Sequence, residues 1–149
     1  MKKFAIASIL ATAAIAASAV EVGVTAVDAT RDTDRQGYGV TVGQNFGAYN
    51  VTAGVARFVR EANDQTRVTL VGSREVYKVG PVGLTGRVGV AYLNNQTGSD
   101  GSALTVGVGA NVPVAKNVTA GLSVDRQYGQ SRVDSFNGNI VTASVKYGF

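Results

Sequence analysis

From Val20 onward, apolar residues and small or polar residues change places with a period of two. Val20, Val22, Val24 and Ala26 are separated by Glu21, Gly23 and Thr25. After the polar run Arg31 to Gln36, Tyr38, Val40 and Val42 alternate with Gly39, Thr41 and Gly43. Tyr49, Val51, Ala53 and Val55 follow, against Asn50, Thr52 and Gly54, and after Ala62 to Gln65 a segment at about Thr66–Val79 carries Val68, Leu70 and Val76. Beyond Gly80-Pro81 the pattern returns through Val82, Leu84, Val88, Val90 and Tyr92. The loop Asn94 to Gly101 precedes Leu104, Val106, Val108, Ala110 and Val112, and Pro113 to Lys116 leads into Val118, Ala120, Leu122 and Val124. A last polar stretch, Gln130 to Asn139, precedes Ile140–Phe149. Side chains of a strand point alternately to its two faces, so each segment is a strand with one apolar and one polar face. That makes eight strands.

The connections also alternate. Those near Gly47, at Gly80-Pro81 and at Pro113 to Lys116 are tight, and the other four are longer and polar. Short turns at one end and long loops at the other are the pattern of a transmembrane β-barrel, with both termini at the turn end. The expected fold is therefore all-β, an eight-stranded antiparallel up-and-down transmembrane β-barrel. Thr41-Val42-Gly43 with Asn50 to Gly54 recurs as Thr105-Val106-Gly107 with Asn117 to Gly121. A duplicated hairpin and chance in a Gly, Val and Thr-rich chain both explain that.

Alternation does not say which face meets lipid. Charges within strands decide it: Glu21, Arg87, Asp125 and Lys146 lie on the polar face, where a lumen accommodates them more cheaply than hydrocarbon. Aromatics lie near strand ends, with Tyr49, Tyr77, Tyr147 and Phe149 at the turn end and Tyr38, Tyr92 and Tyr128 towards the loops. Two interfacial girdles are the expected arrangement. Arg74 shares parity with Val68, Leu70 and Val76 and should face lipid, snorkelling to the nearer interface unless a bulge near Gly72 shifts the parity.

Composition supplies the address. Met1-Lys2-Lys3, the apolar run Phe4 to Ala16 and Ala17-Ser18-Ala19 have the form of a secretory signal, so residues 1–19 are expected to be cleaved and 20–149 to be the barrel. With Lys2 and Lys3 removed, the net charge falls from +4 to +2, and no basic run suggests nucleic acid. Cysteine is absent, which excludes a disulfide framework or thiolate metal site. No later stretch approaches the length of a membrane helix. A chain of this kind satisfies its backbone in a membrane only by closing a barrel.

Candidate chemistry is sparse. An eight-stranded barrel has an interior filled by side chains. Glu75 and Arg87 flank Gly80-Pro81 on the inner face and are expected to pair, as are Glu21 and Lys146 on the first and last strands. With Asp125 these form a lumen charge network, because isolated buried charges are costly. Asp28, Asp32 and Asp34 lack the glycine and closing glutamate of a helix-loop-helix calcium site. Asn50, Asn95 and Asn117 match a glycosylation triplet, but two stand at strand starts. Gly107-Val108-Gly109 is not followed by a helix and is no phosphate loop. No cofactor and no metal are implied.

The terminal strand carries the most specific resemblance. Val141, Ala143, Val145, Tyr147 and Phe149 alternate with Thr142, Ser144, Lys146 and Gly148, and the chain ends on an aromatic residue. In this it resembles bacterial outer-membrane β-barrel proteins, whose last strand closes the barrel and ends in Phe. By architecture it is similar to the OmpA/OmpX-like and opacity-protein-like class. The resemblance implies a monomer in outer-membrane lipid, exported to the cell outer membrane. It also implies that the barrel-assembly machinery reads Tyr147 and Phe149, and that the loops can meet an extracellular ligand. The leading expectation is a structural, surface-exposed barrel for adhesion or surface interaction; the alternative is a narrow, porin-like passive channel through a gated, charged lumen. Barrel enzymes of similar architecture use a histidine, and this chain has none, so an enzyme is not expected.

Overall fold

The computed structural model describes residues 20–30, 35–58, 65–95, 100–129 and 137–149. They form β1 (Val20–Thr30), β2 (Arg35–Phe46), β3 (Tyr49–Phe58), β4 (Gln65–Val79), β5 (Val82–Asn95), β6 (Gly101–Ala115), β7 (Val118–Gly129) and β8 (Gly138–Gly148). Every neighbouring pair is antiparallel, and β8 pairs with β1 to close a barrel in simple sequence order. The expected signal segment 1–19 lies outside the described residues, as do Asp32 and Asp34.

Three tight turns occupy one end, at Gly47-Ala48, Gly80-Pro81 and Lys116-Asn117. Gly47 and Gly80 have φ of 62° and 55°, a left-handed conformation that hairpin turns need and glycine adopts without penalty. The barrel termini join this end through a backbone bond from Phe149 N–H to the Val20 carbonyl at 3.1 Å.

Register fixes which side chains are neighbours. From Gly148, partners run through Glu21, Gly43, Thr52, Val71, Gly89, Thr105 and Gln127 to Gly138. One circuit thus returns ten residues along β8. For eight strands such a stagger requires a tilt of about 40° from the barrel axis. Closure leaves no edge strand with unsatisfied backbone groups.

Two details depart from simple alternation. In β4 the register shifts between Glu75 and Tyr77, not near Gly72. Val76 and Tyr77 therefore both emerge on the outer face, while Arg74 stays outside and Glu75 inside. In β6 the shift lies between Pro113 and Ala115, where proline has no N–H to give the ladder. The strand runs on to Ala115, so the turn is Lys116-Asn117, later than the sequence pattern suggests. The repeated segments are not equivalent: Thr41 pairs with Gly54, whereas Thr105 pairs with Gln127. A shared composition explains the recurrence better than a copied hairpin.

Candidate functional site

The outer surface is apolar. Val24, Val40, Val88, Val90, Val108 and Leu122 are all more than half exposed. Soluble monomers rarely expose apolar patches beyond a few hundred Å². Tyr49, Tyr77, Tyr147 and Phe149 stand outward at the turn end, joined by Phe46, and Tyr38, Tyr92 and Tyr128 stand outward towards the loops. Phe46 is legible in hindsight, since it keeps the parity of Tyr38, Val40 and Val42. Tyr147 and Phe149 meet edge to face, 5.0 Å between centroids. The Arg74 guanidinium lies 5.3 Å over the Tyr49 ring, with Nη1 donating to its hydroxyl at 3.5 Å. Arg126 covers Tyr128 at 5.9 Å and donates to Asn139 at 3.1 Å. Both cations thus sit on girdle rings, where the charge can reach water.

The interior divides into two halves. Towards the loops, Val27, Ala56, Phe58 and Ile140 pack into an apolar cluster, with Ala29 against it, and Ala91, Leu93 and Ala103 form a second cluster across the lumen. Thr105, Gln65 and Gln127 fill the space between and are buried as well. At the turn end the lumen opens into a polar cup of about 420 Å³, lined by Glu21, Asn45, Asn50, Glu75, Arg87 and Lys146 among others.

Between the halves lies an ion pair. Arg87 Nε donates to Asp125 Oδ1 at 2.9 Å and Nη2 donates to Oδ2 at 3.3 Å, with Ser123 Oγ adding a bond to Oδ2 at 3.3 Å. A forked guanidinium on a carboxylate is the strong, geometrically fixed form of such a pair. It crosses a whole strand, since Arg87 registers with Gly107 on β6 and Gly107 with Asp125 on β7. Gly107 makes this possible: a Cβ there would collide with Asp125 Oδ1 and the Val124 carbonyl.

The expected Glu75–Arg87 pair does not form. Glu75 registers with Thr85 and Arg87 with Ser73, so the two are diagonal, and the Arg87 fork is turned the other way onto Asp125. Glu75 lines the cup with no ion pair among the described residues. Lys146 Nζ does meet Glu21 Oε2, at 3.6 Å. Glu21 also accepts from Asn45 at 3.1 Å and Asn50 at 3.3 Å, and Asn50 donates to Asn45 at 2.8 Å. These contacts hold β1, β2, β3 and β8 together at the mouth of the cup.

One charged lumen residue escapes the sequence reading. Arg67 is 5% exposed on the inner face of β4, and its Nε has no hydrogen-bond partner. Its parity with Glu75, four alternations along the same strand, is the signal that marks it as inward.

The sequence matches the family described as YfaZ precursor over residues 1–135. The chain belongs to the YfaZ family. No curated protein matches it. The YfaZ-family barrel superposes on the N-terminal β-barrel domain of Pseudomonas aeruginosa OprF with a TM-score of 0.70 and 16% identity, covering 88% of this chain and 97% of that one. Neisserial surface protein A gives a TM-score of 0.59 at 14% identity, with 88% and 96% covered. Yersinia pestis outer membrane protein Ail, in a phospholipid nanodisc, gives 0.55 at 14% identity, with 87% and 99% covered. The resemblance to outer-membrane barrels therefore holds at the level of architecture, and the family the sequence shows is YfaZ. A closed barrel of this fold with an apolar exterior is a lipid-facing structure, and the chain is an outer-membrane protein.

Proposed function

We propose that this barrel is a structural, surface-exposed outer-membrane protein whose four loops contact the environment in adhesion or surface interaction. The observation that carries the reading is the filled loop half of the lumen. Phe58, Leu93, Ala91, Ala103, Val27 and Ile140 are all at most 5% exposed, which supports a tightly packed loop half among the described residues. Below it the Arg87–Asp125 fork spans β6 on the inner wall. A passive channel needs a continuous polar route, and the polar cup stops beneath these groups. Catalysis of the histidine-dependent kind has no residue to perform it, since the chain has no histidine.

On the same reading, residues 1–19 direct export and are removed. The mature barrel is a monomer in outer-membrane lipid. Tyr147 and Phe149 form the signal that the barrel-assembly machinery reads; their edge-to-face contact and the Phe149 bond to Val20 support a role at the closing seam. Deleting Phe149 should lower the heat-modifiable, folded fraction in outer membranes, and an unchanged fraction would remove that role. The surface role is tested by replacing residues 31–34, 59–64, 96–100 and 130–137 with Gly/Ser segments of equal length. Expressing cells should keep the folded barrel and lose adherence to abiotic or host-cell surfaces. Unaltered adherence with all four loops replaced would overturn it.

A further inference from the structure

Between the polar cup and the apolar loop half, the inward charged side chains of the described residues are Arg67, Arg87 and Asp125, and Lys146 lines the same cavity from the cup side. Two cations share one carboxylate. Both Asp125 oxygens accept from Arg87, and Oδ2 accepts from Ser123 as well. Arg67 is left 95% covered, with Nε unpartnered and no ion pair within 4.0 Å among the described residues. Burying a guanidinium with no hydrogen bond and only a share in a carboxylate that another cation holds is costly. A cavity of about 70 Å³ lies against it, lined also by Arg87, Lys146 and the hydroxyl-bearing Thr69, Thr25 and Ser123. That is room for a few waters or for one small ion.

We propose that this cavity is a binding site for a small inorganic anion of halide size, held by Arg67 and Arg87. Lys146 is paired with Glu21, so Arg67 and Arg87 against Asp125 leave one positive in excess at this cavity, and a monovalent anion balances it. The Thr25 hydroxyl can donate to an anion as readily as to water, whereas Ser123 already donates to Asp125 and Thr69 to the Gly54 carbonyl. Entry is from the turn end, because Arg87, Lys146 and Asn111 line both this cavity and the open cup. The loop half is shut by its apolar clusters, so the site is a dead end: it holds an anion in place and offers no route across. The site stands whatever the loops bind.

The probe is bromide, with protein purified from outer membranes in detergent. Crystals grown in sodium bromide should show an anomalous peak in contact with the Arg67 guanidinium. An ordered Arg67 facing water alone, or bromide only on the exterior, would overturn the proposal. In solution, exchanging chloride for gluconate at constant ionic strength should lower the thermal midpoint by roughly 3 °C or more, as expected when a ligand that binds only the folded state is withdrawn. Arg67→Met and Arg67→Gln should abolish that difference. The same shift in wild type and variants would be a general salt effect and would count against the site. If neither variant assembles, the bromide map of the wild type decides alone.

Discussion

At the turn end of the lumen, Lys146 and Glu21 meet at 3.6 Å in a cup open to water, with side chains 17% and 24% exposed. Midway up, Arg87 and Asp125 meet at 2.9 Å with side chains 22% and 6% exposed. The pairs are chemically similar, yet their surroundings give them different weight. In the cup, water can replace either partner, so the pair resembles a surface ion pair. Beneath the apolar loop half the Asp125 carboxylate is out of reach of water, and removing one partner strands charge beside the buried Arg67. The same contrast separates the polar cup from the packed Phe58 and Leu93 clusters above it. Location within one lumen, more than residue type, sets what an interaction contributes.

The sharpest way to break this contrast is Asp125→Asn, which leaves Arg67 and Arg87 facing each other without a carboxylate. A loss of about 4 kcal/mol is expected in urea unfolding of the barrel in lipid vesicles. Phe58→Ala opens a void in the loop half and should cost about 3 kcal/mol by the same assay. Gly107→Ala drives a methyl group into the Val124 carbonyl and Asp125, with a loss of about 2 kcal/mol. Gly72→Ala, whose Cβ would meet only the Val88 carbonyl at 3.8 Å, is the matched control and should be nearly silent. Glu21→Gln in the cup should cost about 0.5 kcal/mol. If Glu21→Gln and Asp125→Asn proved equally costly, the distinction between a wet and a dry half would fail.

How much of this is legible before the structure differs by feature. The eight strands and their outward faces follow from a period of two, which survives wherever one face meets lipid and the other a lumen. The inward charges and the girdle aromatics other than Tyr77, which the bulge turns outward, follow from the same parity. Partnership does not. Parity assigns Glu75 and Arg87 to one face, but the ten-residue stagger and the missing Cβ of Gly107 decide that Arg87 crosses β6 to Asp125. Symmetry about the Gly80-Pro81 turn suggests Glu75 instead, because hairpin proximity is visible in sequence and a contact spanning three strands is not. The bulge between Glu75 and Tyr77 is hidden for a related reason: Val76 and Tyr77 are both acceptable to lipid, so nothing in composition marks the slip. Arg67 is overlooked because its neighbours Thr66 and Val68 read as an ordinary strand start, and its burial arises from residues far along the chain.

The closed loop half is tested most directly by single-channel recording in planar bilayers. Folded wild-type barrel is compared with a Phe58→Ala, Leu93→Ala, Ile140→Ala triple variant. Silence from the wild type and discrete steps from the folded triple variant are the expected pair of results. Discrete steps from the demonstrably folded wild type would contradict a plugged lumen and return the passive channel to first place.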